Sequence, residues 1–124
     1  MKKVLPDTSF LISCVEFKID WEKELSRILD ETFQIHILDK VLREMDTVIQ
    51  KGGRQGRHAK LALEIIKKRK YKVKKTEKGH TDDILLGFSN GFLVATQDTI
   101  LRRRLKEKGK QHIVIRQKKY LMLL

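Results

Sequence analysis

Residues 4–12 read Val-Leu-Pro-Asp-Thr-Ser-Phe-Leu-Ile, and the fold turns on how the break at Pro6-Asp7 is interpreted. An apolar run stops at an acid, and a second apolar run starts at Phe10. The first run, over residues 2–6, suits a strand, and the second, over residues 8–16, suits a helix. Asp7 then stands where a carboxylate can cap the helix or project from the carboxyl end of the strand. Pro6 lacks a backbone donor, so an interior strand tolerates it only at its very end.

The same alternation continues along the chain. A helix over 20–31 carries Trp21, Leu25, Ile28 and Leu29 at helical spacing, and Phe33 to Leu38 is the next strand. Asp39 is placed to cap a helix running to about Gln50, with Val41, Leu42, Met45, Val48 and Ile49 on one face. Gly52-Gly53 ends it, and a basic loop, GGRQGRH, leads into a helix over 57–69 with Leu61, Ala62, Ile65 and Ile66 inward. The alternating YKVKK at 71–75 predicts an edge strand with one wet face. Thr81 opens a helix to Asn90-Gly91, Phe92 to Ala95 is a buried strand, Asp98 to Lys108 is a basic helix, and His112 to Ile115 is a last strand. The terminal KKYLMLL is expected either to pack on the sheet or to present a sticky surface. Strands alternating with helices predict an α/β fold: a three-layer α/β/α sandwich around a mostly parallel sheet of about five strands.

Composition bounds the function. With 124 residues, 40% hydrophobic and 35% charged, the chain is expected to fold as one domain over 1–124. The single cysteine, Cys14, has no partner for an internal disulfide and lies in an apolar segment, which suits a reducing cytoplasm. Met-Lys-Lys is followed by an apolar stretch too short and too soon broken for an export signal or membrane span. The 28 Lys and Arg against 16 Asp and Glu give +12 at pH 7, a field that favours polyanionic partners and nucleic acid first.

In open α/β sheets ligands bind beyond the carboxyl ends of the strands. Asp7, Asp82, Asp83 and Asp98 are all expected near that edge. Each also suits a helix start, where a carboxylate satisfies orphan amides. Several on one edge repel one another unless a cation neutralises them, and oxygen-only ligands point to Mg²⁺ or Mn²⁺. Histidines 36, 58, 80 and 112 show no zinc spacing. Glu44 and Asp46 flank the apolar face of their helix on opposite margins, and geometry alone leaves the choice between them open.

The motifs together resemble the PIN domain, a family of metal-dependent ribonucleases. They are Asp7-Thr8-Ser9-Phe10-Leu11 after a first strand, LDKVLREM with Glu44, TDDILL with Asp82, and VATQDTILRRRLKEKG with Thr96 and Asp98. The likeness spans nearly the whole chain and is nearest to an archaeal branch containing small-subunit rRNA-processing nucleases and VapC-type toxins. It implies metal-site acids at Asp7, Glu44, Asp82 and Asp98, with Thr96 in the catalytic group and Thr8 or Ser9 as polar support. Asp83 departs from the alanine that many members carry and stands as a substitute ligand or a residue behind the ligands. The implied activity is Mg²⁺- or Mn²⁺-dependent endoribonuclease cleavage leaving 5′-phosphate and 3′-hydroxyl ends, in rRNA processing or as a toxin. The implied partners are RNA, an antitoxin or ribosome-assembly factor, and a second copy of the chain. The alternative is a PIN-like RNA-binding or assembly module with weak catalysis. Arg54, Arg57, Arg102, Arg103, Arg104 and Lys106 are the expected RNA contacts, with Lys108 beside them around an apolar strip of Ile100, Leu101 and Leu105. Aromatics make up only 6%, and most phenylalanines fall at core positions, so base stacking is not expected to dominate.

Overall fold

A computed structural model of the chain describes residues 1–76 and 78–124. It contains β1 (Lys2–Pro6), α1 (Thr8–Glu16), α2 (Trp21–Ile28), β2 (Phe33–Leu38), α3 (Asp39–Lys51), α4 (Gly53–Arg69), β3 (Lys72–Lys74), α5 (Thr81–Phe88), β4 (Leu93–Ala95), α6 (Thr99–Glu107), β5 (His112–Arg116) and β6 (Tyr120–Leu123). The strands form one sheet in the order β3-β2-β1-β4-β5-β6. All neighbours pair in parallel except β5 and β6.

This order has a direct consequence for the site. From β1 the chain winds outward through β2 to β3, then returns to β4 and winds the other way to β5. Right-handed crossovers therefore put α1 to α4 on one face and α5 and α6 on the other. The switch point lies between β1 and β4, where loops diverge and a crevice opens beyond the strand ends. Asp7 follows β1 and Asp98 follows β4, so both border that crevice.

Apolar residues hold the layers together. Leu5, Phe10, Leu11, Ile37, Leu38, Met45, Leu85, Leu101, Leu105 and Ile113 are all but inaccessible to solvent. α1 packs on α4, and α4 packs closely on α3. Gly56 permits that approach, since a β-carbon there would stand 3.2 Å from the Val48 carbonyl oxygen. No helix among the described residues is long and apolar enough to cross a membrane.

Pro6 has a structural explanation. The Asp7 amide donates to the Ala95 carbonyl at 2.9 Å, so by strand alternation the Pro6 nitrogen faces β2. The β1–β2 ladder stops at Val4 and Ile35, where the next donor toward β2 would have come from residue 6, while pairing with β4 continues to Pro6 and Ala95.

Several expectations need correction. The described residues form six strands, one more than the about five expected, because Tyr120–Leu123 of the apolar tail pair antiparallel with β5. The glycine-rich segment is helical from Gly53, so Arg54 and Arg57 lie on the first turns of α4 rather than in a loop. Gly52, at φ +74°, makes the turn in a conformation that L side chains disfavour, and α4 starts directly after it. α2 ends at Ile28. Asp39 begins α3 without capping it and instead accepts bonds from the Thr76 amide at 3.2 Å and hydroxyl at 2.6 Å. Leu61 and Ile100 are solvent-facing at 48% and 61% exposure, because each lies off the face of its helix that meets the core.

Candidate active site

Asp7 is the most constrained acid in the protein. Its Oδ1 caps α1 by accepting from the Phe10 amide at 2.9 Å and also takes the Ser9 hydroxyl at 2.8 Å. Its Oδ2 accepts from the Thr96 hydroxyl. An ionised carboxylate offers about four lone-pair positions, so these three donors leave room for one further partner. Burial nevertheless pushes Asp7 up to about 6, against the lowering effect of Thr96, Phe10 and Ser9, with Asp82 adding a small upward push. The helix-cap and functional readings of Asp7 are compatible, since one oxygen serves the cap.

Asp98 repeats the arrangement after β4. Its Oδ1 accepts from the Leu101 amide at 2.9 Å, while its own amide donates to Thr96 Oγ1 at 3.0 Å. Thr96, fully buried, therefore ties the two acid-bearing loops together. Gln97 adds a second tie: its amide donates to Ser9 Oγ at 3.2 Å and its side-chain oxygen accepts from the Ile115 amide at 2.7 Å.

Glu44 arrives from α3, one turn beyond the helix start at Asp39. Its two carboxylate oxygens take one threonine each, Thr8 at 2.6 Å and Thr81 at 2.7 Å. Asp46 is exposed on the other margin of α3 and lines neither this cleft nor its neighbour. The fold thus separates the two acids that helical geometry left equivalent.

Asp82 lies in the first turn of α5. Its carboxyl is held above the ordinary range by burial first and by Asp98 second, with Arg104 opposing and Glu44 and Asp83 adding to the rise. Asp7, Glu44, Asp82 and Asp98 line one cleft of about 460 Å³, together with Thr8, Ser9, Thr47, Val48 and Thr81. None of these four acids enters an ion pair among the described residues.

Asp83 does not line that cleft. It lines an adjoining hollow that Glu44 and Asp82 also border, with Lys40, His80 and Arg104, and Arg104 donates to it at 2.8 Å. Arg102, Arg103 and Lys106 line a different hollow on the other side of α6. Arg54 and Arg57 are exposed on α4 and line neither the acid cleft nor the α6 hollow. The basic residues expected to act together are therefore divided among separate surfaces.

Two contributors were not singled out from sequence. Thr81 was read as a helix start, and its bond to Glu44 across 37 positions is visible only after folding. Gln97 carried no signal beyond its place between Thr96 and Asp98.

The donor set suits a hard divalent cation: oxygen ligands only, an Asp82 carboxyl held above its ordinary range by burial and by Asp98, and no cationic side chain paired to the four acids among the described residues. Among the described residues no three carboxylate, imidazole or thiolate groups stand close enough to enclose an ion by themselves. That spacing accords with Mg²⁺ sites in which one or two carboxylates bind directly and water and substrate phosphate complete the shell.

Fold and cleft together define the class of protein. The family model described as PIN like domain matches residues 4–118, and the chain belongs to that family. Ribonuclease VapC4 of Methanocaldococcus jannaschii is 33% identical over 125 residues, covering 97% of this chain and 95% of that protein. Among solved structures, the PIN domain endonuclease Utp24 superposes with a TM-score of 0.80 at 24% identity, over 98% of this chain and 90% of that one. A domain of a functionally unknown protein from Methanocaldococcus jannaschii superposes at 0.60 and 18% identity, over 94% and 92% of the respective chains. At these identities the two structural likenesses speak to the fold alone.

Proposed function

We propose that the protein is a divalent-metal-dependent endoribonuclease. The observation that carries this reading is the convergence of Asp7, Glu44, Asp82 and Asp98, from four separate parts of the chain, on one cleft at the sheet switch point. Asp7 and Asp98 are the primary holders of Mg²⁺ or Mn²⁺, with Glu44 and Asp82 contributing directly or through water. When bound, the cation supplies the Lewis acidity that activates a water for attack on phosphorus and offsets charge on the leaving oxygen. The chain's own part is orientation. Ser9, Thr96 and the Phe10 amide hold Asp7, Thr8 and Thr81 hold Glu44, and the Leu101 amide of α6 holds Asp98. Water adds to phosphorus and the bond to the 3′ oxygen breaks, leaving a 5′-phosphate and a 3′-hydroxyl. Asp83 serves as the anchor for Arg104 rather than as a ligand.

The name of the VapC4 relative supports a toxin-type ribonuclease with an antitoxin partner. An rRNA-processing role remains the other assignment for the same chemistry. A small antitoxin-like reading frame directly upstream would favour the toxin, and its absence the processor. One observation favours a weakly catalytic RNA-binding module instead: the basic hollow beside α6 is lined by none of the four acids, so polyanion binding there needs no cleavage site.

The test uses labelled single-stranded and structured RNA with Mg²⁺ or Mn²⁺, comparing the unaltered protein with Asp7→Asn and Asp98→Asn. Cleavage should fall at least about 100-fold in each, removing several kcal/mol of transition-state stabilisation. Cleavage that survives both substitutions overturns the site, and RNA binding without cleavage under either metal selects the binding module. A cytoplasmic setting fits the lone buried thiol of Cys14, which burial keeps protonated.

A further inference from the structure

The largest hollow flanking α6 is basic, and nothing in the cleavage chemistry uses it. It holds about 770 Å³ between α6 and the β5–β6 end of the sheet. Arg102, Arg103, Lys106, Lys110 and Arg116 line it, and among the described residues no aspartate or glutamate does. None of the five enters an ion pair among the described residues, and Nε of Arg102 is buried without a hydrogen-bond partner. Five like charges in one concavity repel one another, and a polyanion relieves that repulsion.

Position identifies which polyanion. Thr99, at one end of the hollow, directly follows Asp98 of the acid cleft, and Lys110 follows the far end of α6. Nine helical residues span about 13.5 Å, so the cations form a track leading away from the acids rather than a pocket for one small anion. Arg104, on the same helix, is turned to the opposite side and neutralised by Asp83. The helix therefore sorts its cations by face, which solubility alone does not require.

We infer that this groove carries the single-stranded RNA backbone on one side of the cleavage point, with Arg103, Lys106 and Arg116 as phosphate contacts. The inference rests on the ribonuclease reading for its choice of RNA.

The test measures binding without catalysis. A fluorescein-labelled single-stranded oligoribonucleotide is titrated in EDTA with the unaltered protein, with Arg103→Glu/Lys106→Glu/Arg116→Glu, and with a charge-matched control, Lys60→Glu/Lys67→Glu/Lys68→Glu on α4. All six positions are exposed, so both variants keep the core intact. The groove variant should lose at least about tenfold in affinity at low salt, and its slope of log affinity against log salt should shrink by about 2, from three lost contacts. The control should retain its affinity within about threefold. Equal losses in both variants, unchanged binding in the groove variant, or no RNA binding by the unaltered protein each overturn the groove. So does a glutamate-rich peptide that binds more tightly than RNA and is lost in the groove variant, which would assign the surface to an acidic protein. Groove-dependent RNA binding with no cleavage under Mg²⁺ or Mn²⁺ leaves the groove standing and removes the ribonuclease reading. Cleavage of long RNA by the groove variant with unchanged KM does the reverse.

Discussion

Asp7 accepts three hydrogen bonds and is still pushed up to about 6, because burial outweighs the donors. Its folded value lies above the ordinary 3.8, so the folded protein holds its proton more tightly than the unfolded chain does. Stability in the absence of divalent cations should therefore fall as pH rises through that interval, with the cost fully present above the folded value. About two pH units correspond to no more than about 3 kcal/mol. Asp7→Asn, which keeps an acceptor for Phe10 and Ser9, should melt higher than the unaltered protein at pH 7.5 in EDTA and alike at pH 4. Added Mn²⁺ should close the gap by stabilising only the unaltered protein. A gap that persists at pH 4 would show that the difference does not come from ionisation. At Glu44 the test is orientation. Thr81→Val removes a hydroxyl that donates at 2.7 Å, and should raise the Mn²⁺ concentration for half-maximal cleavage about tenfold. Thr81→Ser should restore it, and an equal loss in both would mean that the methyl group, not the hydroxyl, matters. Glu44 also shows where sequence reasoning stopped: periodicity placed it level with Asp46, and only the packing of α3 on the sheet turned one acid to the cleft and the other to solvent.

At the scale of elements, β6 divides the apolar tail by face. Leu121 is 1% exposed and lies against the layer containing α2, whose Arg27 and Glu24 bond to its backbone at 2.8 and 2.9 Å. Met122 and Leu124 point the other way at 38% exposure each. Leu121→Ala should cost about 2–5 kcal/mol in denaturant unfolding, whereas Met122→Ala should stay within about 0.5 kcal/mol. Comparable losses would show that both faces are packed. Sequence left the tail open between packing and display, and the strand does both, since alternate residues of a strand face opposite sides. The helix boundary at Gly53 was illegible for a related reason: two glycines and a polar run read as a loop, and tertiary contact of Gly56 with α3 outweighs their weak helix propensity.

For the whole molecule, the charge of +12 is a long-range property, but its effect depends on where the cations stand. If about five of them contact single-stranded RNA, log affinity should fall with log salt at a slope of about −3.5. Titrations across a range of salt concentrations measure it, and a slope near zero would mean that binding does not run through phosphates.

Strand and helix periodicity, the order of the four acid motifs and the basic composition were local or additive properties, and they determined the α/β class, the family and the acids worth watching. Pairwise geometry between distant segments is neither local nor additive, so only the folded chain could decide it. It brought Thr81 to Glu44, tied Asp7 to Asp98 through Thr96, turned Arg104 to Asp83 and left Arg103 and Lys106 on a separate groove. Pro6 shows the division most plainly. A missing donor counts against an interior strand in any sequence, and it is accommodated here because it falls on the last residue of β1, ending the ladder to β2 while the pairing with β4 runs on to Ala95.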